Sequence, residues 1–204
     1  MNVVTESYRA VMEAPDRIRA AQDLLQTNRV QGLSLLNEIF RNGQPPSPPL
    51  DGAYDGELVA LETLGFTVPF ARTILAMWLP WRGKYLVAAE SRGDNIFSSR
   101  YRWLFRLLYP FYRGVIDGDG VFRALKFTTS IKAGMVDTDR QVLNINYDSP
   151  DNPALTIRLI IDELVQVHDG VYLGKIHFHW WWGRWQMIGY FSLRAKKNRD
   201  EKAG

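Results

Sequence analysis

The amino-acid sequence predicts a mainly β (α+β) fold, an antiparallel meander of about eight strands closing into a barrel behind an N-terminal helical segment. Three observations predict it. Apolar residues recur at helical spacing over the first forty positions and at alternate positions over most of the remainder. Four prolines in five residues (Pro45, Pro46, Pro48 and Pro49) separate the two regimes and cannot continue a helix. The strand candidates are joined locally, without the strand–helix alternation that builds a parallel sheet. A two-sheet sandwich is the competing arrangement.

The elements follow in order. Pro15 stands where a first-turn proline would, and Ile18, Ala21, Leu24 and Leu25 repeat at helical spacing. After a break near Thr27-Asn28, Leu33, Leu36 and Phe40 continue the pattern. Leu50 to Leu61 leads from a turn into a first strand; Lys84–Glu90, Val121–Ile131 and Gln141–Tyr147 are further strands. Leu155–Val167, Val171–Trp181 and Arg184–Arg194 form a meander turned at Asp169-Gly170 and Trp182-Gly183. The chain therefore divides into a helical segment (1–43), a Pro-rich connector (44–49), the barrel (50–194) and a basic tail (195–204). Two stretches break the β pattern. Phe66–Trp81 is apolar with one charge, Arg72, and Tyr101–Arg113 alternates arginine with aromatics and leucines. Each reads either as a short helix over a barrel mouth or as core.

Composition removes several function classes. With no cysteine among 204 residues, a disulfide scaffold, thiol catalysis and cysteine-ligated metal are excluded. No apolar run reaches bilayer length and no secretory leader pattern opens the chain, so a cytoplasmic protein, peripheral to membrane at most, is expected. The net charge of +3 is unevenly spread. Arg100, Arg102, Arg106, Arg113, Arg123 and Lys126 face only Asp117 and Asp119, and the tail is basic again. Such a patch suits an anionic surface, phospholipid before nucleic acid; the bland alternative is a solvated face. No phosphate-binding loop, dinucleotide fingerprint, G-x-S-x-G or H-E-x-x-H motif is present.

Two groups remain as candidates for chemistry. His177 and His179 share one face of a strand, the spacing of a metal pair, but a third donor is missing and no metal or haem cofactor is expected. Should Ile176, Phe178 and Trp180 point inward, both histidines face solvent. Glu163 falls by alternation on the aliphatic face of its strand with Leu159 and Ile161, whereas Asp162 faces away. A carboxylate so placed is a ligand contact, a general acid or base, or one half of a structural pair with Arg158 or Arg123. In the last strand Trp185, Met187, Phe191 and Leu193 share one face.

Leu50-Asp51-Gly52-Ala53-Tyr54, entering the first strand behind a helix and a Pro-rich connector, resembles the calycin superfamily. The lipocalin pattern of Gly-x-Trp with a late arginine over the ring would fall on Gly52, Tyr54 and Arg194, with Tyr in place of Trp. Thr27-Asn28-Arg29 and the Pro-Pro-Leu-Asp-Gly that follows the next helix are also similar to plastid lipid-associated (fibrillin-type) proteins. The resemblance implies a cup-shaped barrel holding a lipid, isoprenoid or pigment, and no catalytic residue.

The expected function is thus non-enzymatic carriage of a small hydrophobic ligand. Leu159, Ile161, Trp185, Met187 and Phe191 would line the cavity, and Glu163 would meet the ligand's polar end. A portal of Trp78, Trp81, Arg102, Leu104, Phe105, Arg106, Leu108 and Arg113 would meet an anionic membrane. Two alternatives stand beside it: an isomerase or cyclase using Glu163, and a filled barrel acting as a structural or interaction module.

Overall fold

The computed structural model describes residues 14–62 and 80–196. Two helices come first, α1 (Ala14–Thr27) and α2 (Arg29–Asn42). The residue between them, Asn28, caps α2, its side chain accepting from the Gln31 N–H at 3.2 Å. The strands follow as β1 (Gly52–Leu61), β2 (Trp81–Val87) and β3 (Arg92–Ser98). A short helix, α3 (Arg102–Leu108), precedes the two-residue β4 (Ile116–Asp117) and the long β5 (Val121–Ala133). The chain then forms β6 (Gln141–Asn146), β7 (Ile160–His168), β8 (Val171–His179) and β9 (Trp185–Ala195).

Every strand pairs antiparallel with its neighbours in sequence, β4 being an appendage on β5; β3–β5 and β1–β9 pairing closes eight strands into an up-and-down barrel. Closure rather than a sandwich follows from those two ladders, which leave no edge between the first strand and the last. Bulges interrupt the register at Leu58/Ala60, Trp81/Gly83, Asp94/Asn95 and Ile176/His177. Each extra residue bends its strand and reverses which side chains face inward beyond it. Gly83 sits at one such bulge with φ 144, where a side chain would strike the Tyr54 carbonyl. Opposite Phe191, Gly174 lets the ring lie flat across β8; a Cβ there would stand 2.2 Å from it.

Two apolar clusters share the barrel wall. The interior is filled by Tyr54, Trp81, Phe97, Phe122, Phe127, Tyr147, Ile176 and Phe191, among others. On the outside, Ile18, Ala21, Leu36, Ile39 and Phe40 of α1 and α2 cover Val59, Val142, Val165, Leu173 and Tyr190. The helices are thus packed on the wall rather than set apart from it.

Besides shifts of one or two residues at other strand ends, two strands differ in their bounds and one, β3, is not expected from the sequence. The strand expected from Leu155 begins at Ile160, because Pro153 and a 3-10 turn over Ile157–Leu159 occupy its start. The strand expected over Lys84–Glu90 starts at Trp81 and gives way at Ala88 to another 3-10 turn. Strand β3, with Arg92, Asp94 and Asn95, has no apolar alternation; it forms because Gly93, Asn95 and Phe97 face an interior that holds polar groups as well as rings. Most of Phe66–Trp81, including Trp78, and most of the basic tail lie outside the described residues.

Candidate functional site

The barrel interior contains a charged pair. Lys84 of β2 and Asp162 of β7 are almost wholly buried, with Nζ 2.8 Å from Oδ2. The bulge beside Gly83 turns Lys84 inward, and alternation from Ile160 and Leu164 turns Asp162 the same way. Lys84 Nζ also donates to Asn95 Oδ1 at 3.1 Å and to the Tyr147 hydroxyl. Tyr147 OH lies 3.0 Å from Asp162 Oδ2, and Trp81 Nε1 donates to Asn95 Oδ1 at 3.0 Å. Four rings surround the ammonium: Tyr147, Phe191, Phe127 and Trp81, with centroids 5.0 to 5.7 Å from Nζ. Their faces offset part of the cost of taking the charge out of water. Burial still pushes the Lys84 ammonium below its usual range, against the pull of Asp162, and lifts the Tyr147 hydroxyl well above its own.

One acceptor in this cluster is unfilled: Asp162 Oδ1 is buried without a hydrogen-bond partner. Beside it lies a pocket of about 30 Å³ lined by Trp81, Asn95, Phe97, Leu125, Tyr147, Ile157, Ile160 and Asp162. That is room for a water or a group of similar size. Leu125 enters the pocket from a bulge in β5 with φ 60, a conformation L-residues seldom adopt. It is held there because its carbonyl accepts from Asn95 Nδ2 at 3.2 Å and its N–H donates to the Tyr112 hydroxyl at 2.7 Å. Over the pocket's end of the barrel, Phe105 of α3 is wedged against Phe97, Phe122, Tyr109 and Tyr112.

Glu163 lies elsewhere. It is buried with the aliphatic residues, as its alternation indicates, but that face is the outer one, under α2. Its Oε1 accepts from the Met135 N–H at 2.5 Å and its Oε2 is 3.0 Å from His177 Nε2. Neither Arg158 nor Arg123 is its partner: Arg158 pairs with Asp148, and Arg123 stacks on Tyr85. Nearby, Lys175 Nζ bonds Asp137 Oδ2 at 2.5 Å and Asn37 at 2.7 Å, while Arg41 reaches Asp137 and Asp139. These bonds tie α2 and the β5–β6 loop to the wall. Burial would raise the Asp137 carboxyl, but Lys175 and Arg41 outweigh it and hold the group below its usual range.

The other expected lining residues divide. Phe191 is interior and Leu159 packs half-buried against the interior cluster. Ile161 alternates with Ile160 and Asp162 and so faces outward. The bulge at Ile188 reverses β9, so Met187 packs on the helix side and Trp185 lies at the rim, its ring 4.8 Å from that of His179. Both histidines point out of the barrel, but His177 is buried against Glu163 rather than exposed to solvent. Among the described residues no group of three or more His, Asp or Glu is arranged to hold a metal.

The portal is also redistributed. Trp81 is a core residue. Phe105 is buried, Leu104 and Leu108 are half-buried, and Arg102 bonds Asp117, so this is the inward side of α3. Of the described residues named for the portal, Arg106 and Arg113 are exposed. The outward side shows Trp103 and Leu107, and Phe111 follows. Helical spacing within Trp103–Leu108 carries this division, since Phe105 and Leu108 are three apart and Trp103 and Leu107 four apart. Trp181 and Trp182 in the β8–β9 turn and Leu155 before β7 are exposed at the same barrel end. Arg100, Arg106, Arg113 and Arg184 stand among them with no ion pair among the described residues.

No protein-family model matches this chain, and no curated protein matches it. A solved structure described as "Crystal structure of protein from Thermomonospora curvata" is similar in fold, with a TM-score of 0.51 at 16% identity over 89% of this chain and 99% of that one. Together with the closed barrel it places this chain among antiparallel eight-stranded barrels preceded by helices, an architecture consistent with a calycin-like barrel. The lipocalin detail differs: Tyr172, not Arg194, stands edge-on to Tyr54 at 5.7 Å, and Arg194 is exposed on the opposite face of β9.

Proposed function

We propose that this protein binds a small hydrophobic ligand in its barrel and exchanges it at an anionic membrane surface. The observation that carries the reading is the rim just described. Trp103, Leu107, Phe111, Leu155, Trp181, Trp182 and Trp185 are exposed at one barrel end, interleaved with arginines that make no ion pair among the described residues. Aromatic side chains with basic neighbours suit the boundary between acyl chains and phosphates. The interior pocket is lined by Phe97, whose ring Phe105 touches, and by Ile157 and Ile160 at the same end of the barrel. No helix among the described residues is long and apolar enough to cross a membrane, so contact would be made by the rim.

Flotation on phosphatidylcholine vesicles containing phosphatidylglycerol tests this. The triple variant Trp103→Ser, Phe111→Ser, Trp181→Ser changes side chains that are 65%, 92% and 80% exposed, so the barrel should keep its circular dichroism. Each buried aromatic contributes on the order of 1–2 kcal/mol, so the variant should partition at least tenfold more weakly. Unchanged flotation, or no flotation of the parent protein, would sink the proposal. The filled-barrel reading is favoured by one observation, the pocket's volume of about 30 Å³. It predicts that no apolar ligand enters. The enzyme reading loses its carboxylate, because Glu163 lies outside the barrel with both oxygens engaged.

A further inference from the structure

The hydrogen-bond inventory around the interior pocket is asymmetric. All three Lys84 ammonium protons are directed at acceptors, on Asp162, Asn95 and Tyr147. Trp81 Nε1 is spent on Asn95 Oδ1, and Asn95 Nδ2 donates to the Leu125 carbonyl and lies 3.2 Å from Tyr147 OH. The Tyr147 proton is directed at Asp162 or Asn95. Every donor in the cluster is therefore committed, while one acceptor, Asp162 Oδ1, is open and buried. A group entering here finds somewhere to donate and nothing left to accept from. It also meets a cluster whose formal charges, Lys84 and Asp162, already cancel, so a second cation or anion would be buried uncompensated.

We infer that the pocket beside Asp162 is a head-group site for a neutral hydroxyl, and that the ligand class is an alcohol or phenol with an apolar body rather than a fatty acid. This rests on the ligand-binding reading above and makes it specific. The hydroxyl would donate to Asp162 Oδ1 in the space a water-sized group can occupy, which Phe97, Ile157 and Ile160 also line. A carboxylate would bring two acceptors and a negative charge to the same oxygen. A ketone would bring an acceptor with no donor to meet it.

The test is calorimetric titration of the full-length protein at pH 7.5 with 1-decanol, sodium decanoate and decylamine, repeated on Asp162→Asn. Decanol should bind at least ten times more tightly than decanoate, as a hydrogen bond to a buried charged acceptor requires. The amide of Asp162→Asn supplies a donor, so the alcohol-over-acid ratio should collapse toward one or invert. Decanoate or decylamine binding as tightly as decanol to the parent protein overturns the head-group assignment while leaving carriage intact. A decanol preference unchanged in Asp162→Asn overturns it too. If none of the three binds the parent protein, the carrier reading fails and takes this one with it. Should Asp162→Asn not fold, the order of affinities in the parent protein decides alone.

Discussion

Replacing Lys84 with Met is the most informative perturbation of the interior. Met is an unbranched side chain of similar length that removes the ammonium, and with it the charge that stands over the Trp81, Phe127 and Phe191 rings. Asp162 is then left with the Tyr147 hydroxyl at 3.0 Å as its remaining partner, and Asn95 Oδ1 loses one of its donors. Breaking a buried pair in this way costs about 3–5 kcal/mol, mostly as the penalty of the orphaned charge. In a chain of this length that lowers the melting temperature by about 10 °C. The companion variant Asp162→Leu should cost a similar amount, because it strands the ammonium. The double variant Lys84→Met, Asp162→Leu removes both charges and leaves Tyr147 and Asn95 to bond each other, so it should lie within about 2 kcal/mol of the parent protein. Urea denaturation of the four proteins closes the cycle. Single variants that each cost less than about 1 kcal/mol, or costs that simply add in the double variant, would refute the reasoning.

Two further predictions concern the outer wall. Glu163→Gln should cost about 1–3 kcal/mol in urea denaturation, through weakened bonds to Met135 N–H and His177, while leaving decanol affinity unchanged. A loss of ligand affinity there would return Glu163 to the site. Asp137 is held below its usual carboxylate range, so its contribution is full above the unfolded value near 4 and is lost as pH falls through the lower folded value. Asp137→Asn should therefore flatten the acid limb of the stability–pH profile; an acid limb as steep as the parent's would show that Asp137 does not set it.

The buried pair and the rim ask different things of the molecule. A charge pair inside an aromatic core is rarely a gain in stability over apolar residues of equal volume. Here it specifies a single polar spot, placed by the consecutive strands β2 and β3 and by the distant β7, in an interior otherwise made of rings and aliphatic side chains. The rim is the complement: residues from α3, the β8–β9 turn and the approach to β7 are apolar where nothing in the described structure covers them.

The sequence by itself determined the class of fold. Helical spacing up to Phe40, the proline connector and period-two strands with local turns call for an antiparallel meander behind a helical segment, and the β3–β5 and β1–β9 ladders decided that it closes as a barrel rather than packing as a sandwich. It also placed Glu163 with its aliphatic neighbours, Asp162 opposite and Phe191 with Leu193. Only the tertiary structure decided which of those faces is the inside. Periodicity says that two sets of residues face opposite ways, and in a barrel wall covered by helices both sets are buried, so burial cannot tell them apart. The packing of α1 and α2 over β7 and β8 settled that Asp162 is interior and Glu163 is not. Bulges add the second ambiguity. One extra residue at Ile188 moves Met187 to the other face, and one at Arg82 turns Lys84 inward, and neither leaves a mark in an alternation pattern read strand by strand. The polar cluster was invisible for the same reason: Lys84, Asn95, Tyr147 and Asp162 lie up to 78 positions apart and meet only because the barrel closes.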